Sequence, residues 1–136
     1  MNNEFMANLI LLFHFCIVIF VLVAPFINII AIWILHIIFC ICMIIHWKLN
    51  NNICSLSVLE AKLRGLDYVE TFAHKFVSPI YDISSSDWGS FTTVLTLIVL
   101  FISISKLTDK KTIDKIISGC SNNYFIKCIN TLFEPL

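Results

Sequence analysis

Polar and apolar positions along this chain separate into long blocks. From Phe5 to Trp47 there is no Asp, Glu, Lys or Arg, and a second charge-free run extends from Trp88 to Ser105. A bilayer core about 30 Å thick is crossed by roughly 20 mostly apolar residues in helical form. The first run is thus about two spans long and the second about one. Its one place to break is Ala24-Pro25-Phe26-Ile27-Asn28, where proline removes a backbone donor and turns the preceding residue away from helix. Asn28 is the candidate N-cap of the second helix. The pattern predicts helices over residues 5–23 and 29–47, joined as a tight antiparallel hairpin, and a third over 91–107. The many Ile and Val residues would favour strands in water, but in lipid the backbone must satisfy its own hydrogen bonds, which selects helix.

The segment between the second and third spans is the most polar part. Trp47 and Lys48 suit a headgroup level, and Asn50-Asn51-Asn52 marks the exit into water. Ser57-Val58-Leu59-Glu60 fits a capping box that opens a short helix ending at Arg64, with Gly65 as its stop. Leu66, Val69, Phe72, Ala73, Phe76, Val77 and Ile80 recur at helical spacing, with Asp67, Glu70, Thr71 and Lys75 between them. This predicts an amphipathic, interfacial helix over about 66–78. After the third span, residues 108–136 read as a short amphipathic tail of two small helices, the first stopped near Gly119. The expected fold is all-α: one membrane domain over residues 1–136, with three transmembrane helices, an interfacial helix between the second and third, and the amphipathic tail.

Composition reinforces this reading. Of 136 residues, 59% are hydrophobic and 13% charged, against roughly 45–50% and about 25% in soluble domains. Nine basic and nine acidic residues give zero net charge, so nothing invites nucleic acid. The first run does not look like a cleaved signal: it begins Met1-Asn2-Asn3-Glu4, without a positive start, and another span follows at once. Three spans put the N-terminus and the central connection on one side, with Lys48, Lys62, Arg64 and Lys75. The other side holds Lys106, Lys110, Lys111, Lys115 and Lys127. This balance leaves orientation open.

Six cysteines are present and no C-x-x-C pair, so neither a zinc ribbon nor a redox dithiol is indicated. Cys16, Cys40 and Cys42 fall in spans, as small apolar residues. A Cys120–Cys128 disulfide is open.

The sharpest chemical feature is a pair of intramembrane histidines. At 1.5 Å per residue, His14 and His36 sit about 14 and 11 Å from the connecting turn. They share a depth, although their facing is not fixed by the spacing. They are candidate cofactor-binding residues, as haem or metal ligands or a proton relay. The competing reading is that each hydrogen-bonds a neighbouring helix and specifies packing. A second set combines Cys54, Glu60 and His74, with His46 nearby, all zinc-ligand types at spacings that match no local metal motif. With three glycines there is no phosphate-cradling loop, and neither G-x-S-x-G nor H-E-x-x-H occurs. No catalytic residue and no cofactor is predicted; haem or a transition metal is the alternative.

The residue order resembles a family of small, mostly bacterial, polytopic membrane proteins labelled only as a domain of unknown function (number twenty-seven eighty-four). His14-Phe15 to Phe20-Val21, Leu35-His36, Trp47, Cys54-Ser55-Leu56-Ser57-Val58-Leu59-Glu60 and Leu63-Arg64 carry the likeness. Phe72, His74, Pro79 and Tyr81 match further on. Ser55 stands where the family has proline, the gap from Trp47 to Cys54 is longer, and residues after Leu107 have no counterpart. The resemblance implies a membrane architecture and no activity. The expected function is a structural or assembly component of a membrane-associated complex, with the lipid bilayer and other subunits or copies of itself as partners. The alternative is a membrane redox or metal- or haem-binding protein.

Overall fold

The structure, a computed structural model, describes residues 3–66, 85–120 and 125–136. Among them every regular element is helical. The first apolar run forms α1 (Asn3–Val23) and α2 (Ile30–Leu49). Then come α3 (Ser55–Arg64), α4 (Ser85–Leu107), α5 (Lys110–Cys120) and α6 (Phe125–Phe133). Three helices are long and apolar enough to cross a membrane, over Asn3–Phe26, Ile30–Leu49 and Gly89–Leu107. The predicted interfacial helix over about 66–78 lies outside the described residues.

The break between α1 and α2 falls at proline, as the missing donor dictates. Ala24–Phe26 form one 3-10 turn, with Pro25 at its start and Ile27 already extended. Asn28 does not cap α2. The carbonyl of Ile29 accepts the first amides, from Ile32 and Trp33, at 3.1 and 3.2 Å. The Asn28 side chain instead accepts from Lys106 Nζ at 3.3 Å, and its carbonyl accepts the Leu136 amide at 2.9 Å.

α2 ends in a tight turn in which Asn51 and Asn52 have positive φ, 52° and 63°. Asparagine reaches this left-handed region more readily than other side chains. α3 starts three residues earlier than its capping-box pattern predicts. Cys54 is its N-cap, without a side-chain cap bond, and Ser57 lies inside the helix, buried, its hydroxyl without a hydrogen-bond partner. Glu60 pairs with Arg64 one turn on, because a buried carboxylate gains more from a guanidinium than from a backbone amide. Gly65 does stop α3, at φ +67°, where a side chain would be strained.

The chain packs as two compact units, Met1–Ile19 with Cys42–Leu95 and Phe20–Ile41 with Thr96–Leu136. Each of α1, α2 and α4 contributes a stretch to both. The core of the first includes Ala7, Ser57, Glu60 and Ala61; that of the second includes Ile30, Trp33, His36, Cys40, Val99 and Ser103. In the second unit α5 and α6 form a hairpin joined by a Cys120–Cys128 disulfide. Gly119 faces Thr131 so closely that an added Cβ would lie 2.7 Å from the Thr131 Cβ.

Candidate functional site

The long helices bury few of their apolar residues. Only 22%, 22% and 17% of the residues in their apolar windows are buried. Phe5, Leu12, Phe13, Leu35, Ile38 and Phe101 are all more than half exposed. His36, Ser103 and Thr96, by contrast, are buried. Buried polar groups on such apolar helices suit contacts made through interhelical hydrogen bonds.

His36 is the centre of the second unit and is fully buried. Its Nε2 lies 3.0 Å from the carbonyl oxygen of Val21. A carbonyl only accepts, so Nε2 carries the proton. In the neutral ring Nδ1 then accepts from the Ser103 hydroxyl, 2.8 Å away. One imidazole thereby joins α1, α2 and α4. The Cys40 sulfur lies 3.3 Å from Nε2. Phe20 stands beside the imidazole at 6.0 Å between centroids and meets Phe39 edge-on at 5.6 Å.

In the first unit, His14 Nε2 and Cys54 Sγ are 3.9 Å apart. Arg64 donates to Glu60 Oε1 at 2.9 Å and to Asn8 Oδ1 at 2.7 Å, tying α3 to α1. Glu60 is 2% exposed. Removing Arg64 would leave this carboxylate buried without its cation, which is destabilising. His46 has a local role that the sequence did not reveal. Its Nε2 accepts the Ser55 backbone amide at 3.3 Å and lies 3.1 Å from the Ser55 hydroxyl. An imidazole from α2 thus satisfies an orphan donor at the start of α3, the task expected of Ser57.

The sequence-predicted residues therefore divide. His36 is held by Ser103 and Val21 in one unit, and His14 by Cys54 in the other. Glu60 pairs with Arg64, and His74 lies outside the described residues. Among the described residues no group of three or more His, Cys, Asp or Glu side chains is placed to hold a metal ion. Ser103 and Arg64 were missed as site residues. The Glu60–Arg64 spacing of four was a readable signal; Ser103, 67 positions from His36, had none.

No family model, no curated protein and no solved structure matches the chain.

Proposed function

We propose that the chain is a three-span integral membrane protein that acts as a structural or assembly component of a membrane-associated complex. The observation that carries this reading is the sparse burial of the apolar windows, most of whose residues are not buried, while His36, Ser103 and Glu60 are engaged within the protein. Exposed hydrocarbon on that scale calls for lipid or for neighbouring helices. Lipid covers part of it, and partner subunits or further copies of the chain cover the rest.

Purification in a mild detergent tests the assembly role. The chain is expected to resist extraction by alkaline carbonate, to dissolve in detergent and to elute with stoichiometric partners or as an oligomer. His14→Ala is expected to leave any activity of the complex intact. A stable, partner-free monomer with catalytic turnover overturns the proposal.

One observation favours a second reading, a redox or metal-binding membrane protein. His14 and Cys54, two ligand types, are adjacent. Absorbance and metal analysis of the detergent-purified protein decide between the two. A haem band or stoichiometric metal that disappears in His14→Ala supports the second, and a colourless, metal-free, folded protein supports the first.

A further inference from the structure

The α5–α6 hairpin has two unlike faces, and its contacts fix which residues share each. Cys120 is bridged to Cys128, Gly119 abuts Thr131, and Lys115 reaches Glu134. Positions fall along α5 as they rise along α6, so the two helices run antiparallel. Gly119 and Thr112 mark the buried side of α5, and Thr131 marks that of α6.

Each residue turns a helix by about 100°. Counted from Thr112, Ile113 and Ile117 stand about 100° and 140° round α5; counted from Thr131, Phe125 and Ile129 stand about 120° and 160° round α6 in the same sense. On antiparallel helices the same sense leads to the same face. One face of the hairpin is therefore apolar, and it is open. Phe125 is 78% exposed and Ile117 61%, with Ile113, Ile129 and Phe133 exposed beside them. Lys111, Lys115 and Ser118 turn the other way on α5, and Lys127, Asn130 and Glu134 do so on α6. An ion pair joins these polar flanks, with Lys115 Nζ 4.0 Å from Glu134 Oε2.

The base of the hairpin is held at the ends of the long helices. Only Thr108 and Asp109 separate α5 from α4. After α6, the Leu136 amide donates to the Asn28 carbonyl at 2.9 Å, and Pro135 forms an antiparallel β-bridge with Ile29. Asn28 and Ile29 lie between the apolar windows of α1 and α2. We propose that the hairpin docks flat on the bilayer surface, with Ile113, Ile117, Phe125, Ile129 and Phe133 sunk in the headgroup–acyl boundary and the lysine-bearing face in water. An apolar face next to the end of a span is the ordinary setting of an interfacial helix. Residues 108–136 carry four lysines and three acidic side chains. This near balance makes hydrocarbon rather than charge the source of the docking, so a zwitterionic lipid suffices. The proposal rests on the membrane reading, and the test below separates the two.

The experiment is spin-label accessibility on the full chain in nanodiscs of dioleoylphosphatidylcholine. Oxygen reports hydrocarbon, and a neutral nickel chelate reports water. Ile117→Cys, Phe133→Cys, Asp114→Cys and Asn130→Cys are labelled one at a time with a maleimide nitroxide. The background is Cys16→Ala, Cys40→Ala, Cys42→Ala and Cys54→Ala, with the Cys120–Cys128 bridge kept. Peptide mapping places the single label, and hydrogen exchange matching the parent across residues 110–133 shows that the hairpin stays folded. Labels at Ile117 and Phe133 are expected to favour oxygen, at a depth of roughly 5–10 Å. The preference is expected to invert at Asp114 and Asn130. Leu97→Cys, on α4, is the reference for the crossing and is expected to favour oxygen. Oxygen preference at Leu97 with nickel preference at all four hairpin positions overturns the docking and leaves the crossing intact. Nickel preference at Leu97 overturns the membrane reading, and the docking with it. Shielding of Ile117 and Phe133 from both reagents means that a second copy or another subunit covers the face, and this also overturns docking on lipid.

Discussion

His36 joins three helices with two hydrogen bonds, and Ser103 is its side-chain partner. Interhelical hydrogen bonds in membrane proteins contribute about 0.6 kcal/mol on average and up to about 1.7. His36→Ala also leaves a cavity and strands the Val21 carbonyl, so a loss of about 2–4 kcal/mol is expected. Ser103→Ala is expected to cost about 1 kcal/mol. A double-mutant cycle by reversible unfolding in mixed micelles checks this: the two residues should couple by about 1 kcal/mol. Strict additivity would mean the contact contributes nothing. A polar anchor at His36 was legible in the sequence, because an ionisable residue in a charge-free run must find company. Its partner was not, since several serines and threonines of the third span offered the same chemistry and only tertiary packing selects Ser103. Ser57 shows the opposite failure. Its spacing to Glu60 fits a capping box, but the same Glu60 stands four residues before Arg64, and the charged partner prevails.

At the scale of elements, the limits of the long helices were legible because their causes are local: Pro25 for the hairpin, Gly65 for the end of α3, loss of charge for the spans. α4 begins at Ser85 rather than near Phe91. In its first turns Thr92 and Thr93 bond back to the Gly89 carbonyl at 3.1 and 2.8 Å, and the helix runs through that glycine. In the tail, the two amphipathic helices followed from spacing, whereas the disulfide did not, because two cysteines eight residues apart are brought together only by how their helices pack. The close approach of α5 and α6 at Gly119 and Thr131 was also hidden. Gly119→Ala places a methyl group where the Thr131 side chain already lies. Overpacking of this kind costs about 1–3 kcal/mol. The tail of this variant is expected to lose protection in hydrogen exchange while the long helices keep theirs. Unchanged protection across residues 110–133 would show that the hairpin yields freely.

At the scale of the molecule, α1, α2 and α4 bury few of the residues in their apolar windows. Three crossings would leave Lys62 and the tail facing different compartments. The charge bias did not orient the chain; the Cys120–Cys128 bridge supplies an expectation instead, since disulfides persist where the compartment is oxidising. The tail face is therefore expected to be the oxidising one. The most direct test is labelling of sealed membranes with a water-soluble maleimide, using Lys62→Cys and Asp114→Cys variants separately in a Cys54→Ala background. Each new thiol should react from one face only, the two faces should differ, and Asp114→Cys should react from the oxidising side. Labelling of both from the same face, or release of the chain by alkaline carbonate, would contradict a protein that crosses the membrane three times.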